Sequence, residues 1–142
     1  DFLDRLFREF PNFFFGKRIF EEAAEVFASS KIVLNISIRD DINMRVFEAL
    51  ASGSLLLTNE IPNLEHLFKD GVHLVTYKNA DDAVEKARYY IEHDEERKRI
   101  AQAGYEEVMR KHTYTHRLKT VMKIVGIPDP TSKEPVAVGG AR

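Results

Sequence analysis

The sequence predicts an α/β fold: a Rossmann-like parallel sheet flanked by helices and finished by a helical C-terminal extension. Strand-like and helix-like patterns alternate through Lys78, and helical patterns then follow one another. Residues 31–38 (KIVLNISI) are a nearly continuous apolar run rich in β-branched side chains, the pattern of a strand buried on both faces. A polar corner, Arg39-Asp40-Asp41, separates that run from a helical pattern over residues 43–52 that stops at Gly53, a usual residue just past a helix end.

In chain order, Phe2, Leu3, Leu6, Phe7 and Phe10 form a helical stripe that ends at Pro11, because the residue before a proline avoids the α region. Phe13-Phe14-Phe15-Gly16 reads as a short buried strand with a tight exit, or else as a loop whose aromatics cover one end of a core. Ile19, Phe20, Ala23, Ala24, Phe27 and Ala28 recur at helical spacing over residues 18–29. The 31–53 strand–corner–helix unit follows, then a short strand over residues 54–58 (SLLLT) that ends in Thr58-Asn59. Pro62 and Asn63 mark a loop, residues 64–68 one or two helical turns closed by Asp70-Gly71, and residues 73–77 a further strand. Asn79 or Asp81 caps a helix that runs to about His93, with acids at its start and Lys86 and Arg88 further along, as the helix dipole favours. Asp94 caps the next helix, with Ile100, Ala101, Ala103, Gly104, Val108 and Met109 inward. Thr113 caps the last, with Tyr114, Leu118, Val121, Met122 and Val125 inward. Residues 127–142 hold three of the five prolines and no regular period, so they read as a flexible tail. Residues 1–126 are then one domain; the chain opens on Asp1 directly into a helical pattern, as a piece of something longer would.

Bulk properties narrow the function classes. A length of 142 residues suits one domain with a real core. A net charge of −2 supplies no general attraction to nucleic acid or anionic membranes, and no apolar run approaches the length of an integral membrane segment. Without cysteine there is neither a disulfide framework nor a thiolate metal site, which fits a cytoplasmic location. The five histidines show no metal-ligand spacing; His112 and His116 are four apart but bracket a helix start. No GxGxxG, phosphate loop or Gly-x-Ser-x-Gly turn is present. Lys17-Arg18 reads as a phosphate or base contact or as a solvated helix start, and the basic clusters at 97–99 and 110–111 as solvated faces.

The polar corner lies where open α/β sheets bind ligands, beyond the carboxyl end of a strand. On a helical wheel of residues 43–52, Val46, Phe47 and Leu50 share an arc toward the sheet, while Arg45, Glu48 and Ser52 share another. Glu48 is then either a carboxylate that accepts hydrogen bonds from ligand hydroxyls, beside a helix N-terminus facing anionic groups, or half of a surface Arg45–Glu48 pair worth a few tenths of a kcal/mol. Spacing alone favours the pair. Asp40 and Asp41 have an equally plain reading as caps worth about 1 kcal/mol each.

Three stretches carry a resemblance: SKIVLNIS, NMRVFEALASG, and the GVHLVTY strand followed by an acidic helix start and ERKRIAQAG. Over residues 13–125 the chain resembles the C-terminal, nucleotide-sugar-binding half of group 1 glycosyltransferases. These have two Rossmann-like domains (the GT-B fold), and the likeness is greatest to the branch that includes spore-maturation-type proteins. The resemblance implies transfer of a sugar from a nucleotide-diphosphate donor to an acceptor hydroxyl, commonly with no bound metal and no other cofactor. Group 1 enzymes carry two glutamates with seven residues between them. The second matches Glu48 and implies a contact to the ribose hydroxyls; the first, which touches the donor sugar at the catalytic centre, falls on Asp40, whose carboxylate reaches one methylene less far. Asn43 and Arg45 would lie at the donor end of the helix, and Thr58 and Asn59 would line the same cleft. The acceptor-binding N-terminal domain and the basic groups of the first strands would be partners outside these residues, which makes the cleft incomplete and the chain inactive alone. The competing expectation is a non-catalytic interaction or regulatory module on the same fold, which the Asp40 substitution favours. An unrelated flavodoxin-like domain is disfavoured by the missing phosphate loop.

Overall fold

A computed structural model describes residues 2–128, so the tail expected over residues 127–142 lies almost wholly outside the described residues. The described chain is an α/β, Rossmann-like arrangement built on a three-stranded parallel sheet. Its strands are β1 (Ile32–Asn35), β2 (Leu55–Asn59) and β3 (Val75–Tyr77), in the order β1-β2-β3. Ile32 stands opposite Leu55 and Asn35 opposite Thr58, while Leu57 faces Val75 and Asn59 faces Tyr77. All three strands therefore finish on one level, and the turns beyond Asn35, Asn59 and Tyr77 share one rim.

The helices are α1 (Phe2–Glu9), α2 (Phe20–Ser29), α3 (Met44–Ala51), α4 (Ala80–Glu92), α5 (Asp94–Lys111) and α6 (Tyr114–Val125), with a 3-10 turn at Leu64–His66. β2 explains the two-sided core. Leu56 points into a cluster with Val46, Phe47 and Leu50 of α3, whereas Leu55 and Leu57 point into a second cluster with Ala83 and Ala87 of α4 and Ile100 of α5. Burying both faces of the central strand is what a parallel sheet requires. α5 reaches both clusters, and the glycine at 104 lets it pass close to the His73 carbonyl and Leu50.

Several sequence expectations need correction. Residues 13–16 form no strand. The Phe13 N–H donates to the Phe10 carbonyl (2.9 Å), which curls the chain there, and no described strand lies alongside to pair with it. The aromatics of this loop do not cover a core either: Phe14 and Phe15 are exposed, Phe13 and Phe15 meet Phe7 edge-on, and Arg18 lies over the Phe14 ring. β1 is shorter than the apolar run at residues 31–38. Past Asn35 the Asn59 side chain replaces the ladder, its Oδ1 accepting from Ser37 N (2.7 Å) and its Nδ2 donating to Ser37 O (3.1 Å). β1 also alternates between half-buried and buried positions, so it is not uniformly buried. Asp94 is the first residue of α5 and not its cap, and Met109 is exposed on it. In α6, Thr113 caps as expected, but Tyr114, Leu118, Val121 and Val125 are exposed and Met122 is half-buried. Helical periodicity identifies an apolar stripe without saying what it meets.

Candidate functional site

The rim at the carboxyl end of β1 is an open cleft of about 550 Å³. Ile36, Ile38 and Met44 form its apolar wall, and Arg39, Asp41, Asn43, Arg45 and Glu48 its polar one. The local sequence explains the shape. After Asn35 the chain turns back through residues 37–41, where Ser37 Oγ donates to the Asp41 backbone carbonyl and side chain (2.9 Å each) and accepts from Asp41 N (3.1 Å). That tight loop drives Asp40 to φ 53, a left-handed conformation in which aspartate is among the better tolerated residues. Asp40 thus stands exposed at the head of the turn and does not line the cleft. Asp41 holds the turn and lines the cleft, and neither acid caps α3.

Asn43 occupies the N-cap position of α3 without using its side chain as a cap, and its Oδ1 is buried with no partner among the described residues. A buried acceptor without a protein partner is usually met by an ordered water. One turn on, Arg45 and Glu48 both face the cleft. They do not form the surface ion pair that their spacing suggests: the Arg45 guanidinium donates instead to Asn35 Oδ1 (3.3 Å). Glu48 is exposed along the same wall.

Thr58 and Asn59 support the cleft from behind. Thr58 is fully buried and accepts from the Asn35 amide (3.0 Å), while Asn59 is the brace for Ser37 described above. Sequence reasoning missed Asn35 and Tyr77. Tyr77 OH donates to the Asn35 carbonyl (3.0 Å), and burial pushes its phenol up to about 12, so it remains a neutral donor. The signal for Asn35 was an amide side chain in the middle of the mostly apolar run at residues 31–38. Among the described residues no group of three His, Asp or Glu side chains converges as a metal site, and no helix is long and apolar enough to cross a membrane.

A family model described as glycosyl transferase-like matches residues 6–123. The chain belongs to the glycosyl transferase-like family. Among curated proteins, this glycosyl transferase-like chain is similar to trehalose synthase from Pyrococcus horikoshii, at 25% identity over 97 residues. That alignment takes in 68% of this chain but 23% of the trehalose synthase, so the chain spans about a quarter of its relative's length.

Proposed function

We propose that this chain is the nucleotide-sugar-binding C-terminal part of a two-Rossmann-domain, group 1 glycosyltransferase of the spore-maturation-type branch. The observation that carries the reading is Glu48, exposed on the wall of a cleft that also presents Arg45 and not ion-paired with it among the described residues. A carboxylate in that setting accepts hydrogen bonds from the ribose hydroxyls of a nucleotide. The Arg45 guanidinium offers a fixed positive charge to the donor diphosphate, and Asn43 lines the same cleft at the start of α3. Charge fixed beside a departing diphosphate stabilises it as negative charge develops. Thr58 and Asn59 serve this site as braces. Asp40 stands where group 1 enzymes carry the donor-sugar glutamate. A preceding domain would supply the acceptor and further basic groups, so the chain alone would transfer no sugar. The reaction needs no cofactor beyond the nucleotide-diphosphate sugar, and the cysteine-free composition suits the cytoplasm.

Isothermal titration of the full-length protein with UDP-, GDP- and TDP-sugars tests this. Binding of one donor that weakens at least tenfold in Glu48→Gln is expected; no binding, or binding indifferent to that substitution, overturns it.

One observation favours a second reading, a non-catalytic interaction module. Asp40, on its left-handed turn, is exposed and is not among the residues that line the cleft. Sugar transfer by the full-length protein, abolished in Glu48→Ala with the fold intact, would exclude that alternative.

A further inference from the structure

The buried polar chain behind the cleft has a direction. Arginine carries only donors, so the atom of Asn35 that faces Arg45 must be the amide oxygen. The amide NH2 is then turned to Thr58 Oγ1 at 3.0 Å. Asn35 is fully buried, Thr58 is fully buried, and the Asn35 backbone carbonyl is fixed by the Tyr77 hydroxyl at 3.0 Å. Strand register makes this possible: Asn35 stands opposite Thr58, and Tyr77 ends the next strand over. Each of the three strands therefore contributes one group to a relay that ends on a cleft-facing cation. The amide is neutral, so Arg45 is oriented without losing its charge.

We propose that Asn35 is a positioning residue that aims the Arg45 guanidinium into the cleft and thereby sets how tightly the cleft holds the diphosphate portion of its ligand. Thr58 fixes the sense of the Asn35 amide, because without an acceptor at Oγ1 the amide is free to turn its NH2 toward Arg45 and repel it. The ligand class rests on the donor-binding reading above; the aiming of Arg45 does not.

Two measurements separate those parts. The first needs no ligand: the Arg45 Nη signals in the nitrogen-15 spectrum of the 142-residue chain. Slowed rotation of the guanidinium is expected in the unaltered chain, and fast rotation in Asn35→Leu and in Thr58→Val. The same rotation in all three overturns the positioning role, and Thr58→Val carries the test should Asn35→Leu fail to fold. The second compares UDP, GDP and TDP with their nucleosides in the full-length protein by titration. Arg45→Gln should weaken the diphosphate about tenfold, the scale of a charged hydrogen bond, and leave the nucleoside unchanged. Asn35→Leu and Thr58→Val should weaken the diphosphate in the same sense, and neither should weaken it further in an Arg45→Gln background. Losses that simply add across that background mean that Asn35 acts only on the fold and overturn the proposal. Absence of any nucleotide binding defeats the donor-site reading while the guanidinium spectrum still decides the positioning.

Discussion

Gly104 and Glu48 mark the limits of reading single residues. Gly104 falls within the apolar period of α5 and passes in the sequence as one more small inward residue, yet a Cβ there runs into the backbone carbonyl of His73 and stands 2.7 Å from Leu50 Cδ2. A carbonyl cannot rotate away as a side chain does, so Gly104→Ala should destabilise the chain by about 2 kcal/mol or more despite alanine's better helix propensity. Chemical unfolding checks this, and an unchanged midpoint would mean that α5 shifts freely. Glu48 was ambiguous for the opposite reason. Spacing pairs it with Arg45, and only the buried amide of Asn35, distant by ten residues in the chain, draws the guanidinium elsewhere. Asp40 is set by its backbone. Its φ of 53 is tolerated by asparagine as well as aspartate, so Asp40→Asn removes the charge and keeps the turn. Because the carboxylate lies off the cleft lining, Asp40→Asn should weaken donor binding less than Glu48→Gln does, in paired titrations.

Among the elements, β1, α3, β2, α4 and α5 were legible because each shows a local signal: an apolar run, a helical period, a cap or a terminal glycine. The residue 13–16 strand and the inward face of α6 were not, since both depend on what lies opposite. The junction of α5 and α6 shows a further consequence of packing. His112 lies against Phe47 and Phe68, with ring centroids 6.1 Å and 5.0 Å away, and its Nε2 is buried without a partner among the described residues. His73 meets the Phe68 ring edge-on. Burial holds both imidazoles below their ordinary 6.5, against the opposing pull of Glu107 and with help from Lys111. Folded chains thus bind fewer protons than unfolded ones just below that value, and stability rises with pH through this window. The stabilisation is complete above about pH 6.5 and is lost as pH falls toward the folded-state values. Urea unfolding at about pH 7 and pH 5 should show the drop, and His112→Phe should reduce it. Equal slopes in both proteins would assign the loss to other groups.

For the molecule as a whole, the central strand decides how the rest unfolds. β2 pairs with both neighbours, and its successive leucines feed the two separate cores: Leu56 the one under α3, Leu57 the one under α4. Both are essentially inaccessible to solvent. Either truncation to alanine leaves a cavity in a closed environment, at a cost of about 2–5 kcal/mol. The two cores share one strand and one long helix, because α5 sends Ile100 to one and Val108 to the other. Loss of either core therefore removes support from the other, and the two faces should not melt separately. Leu56→Ala and Leu57→Ala should each lower the melting temperature by about 4–20 °C, given about 2–4 °C per kcal/mol for domains near this length. In both variants calorimetry should give a single transition with matching calorimetric and van't Hoff enthalpies. A second transition in either would mean that the α3 and α4 sides of the sheet fold as separate units. The rim of Asn35, Thr58 and Tyr77, which draws on all three strands, would then lose its shape with whichever unit melted first.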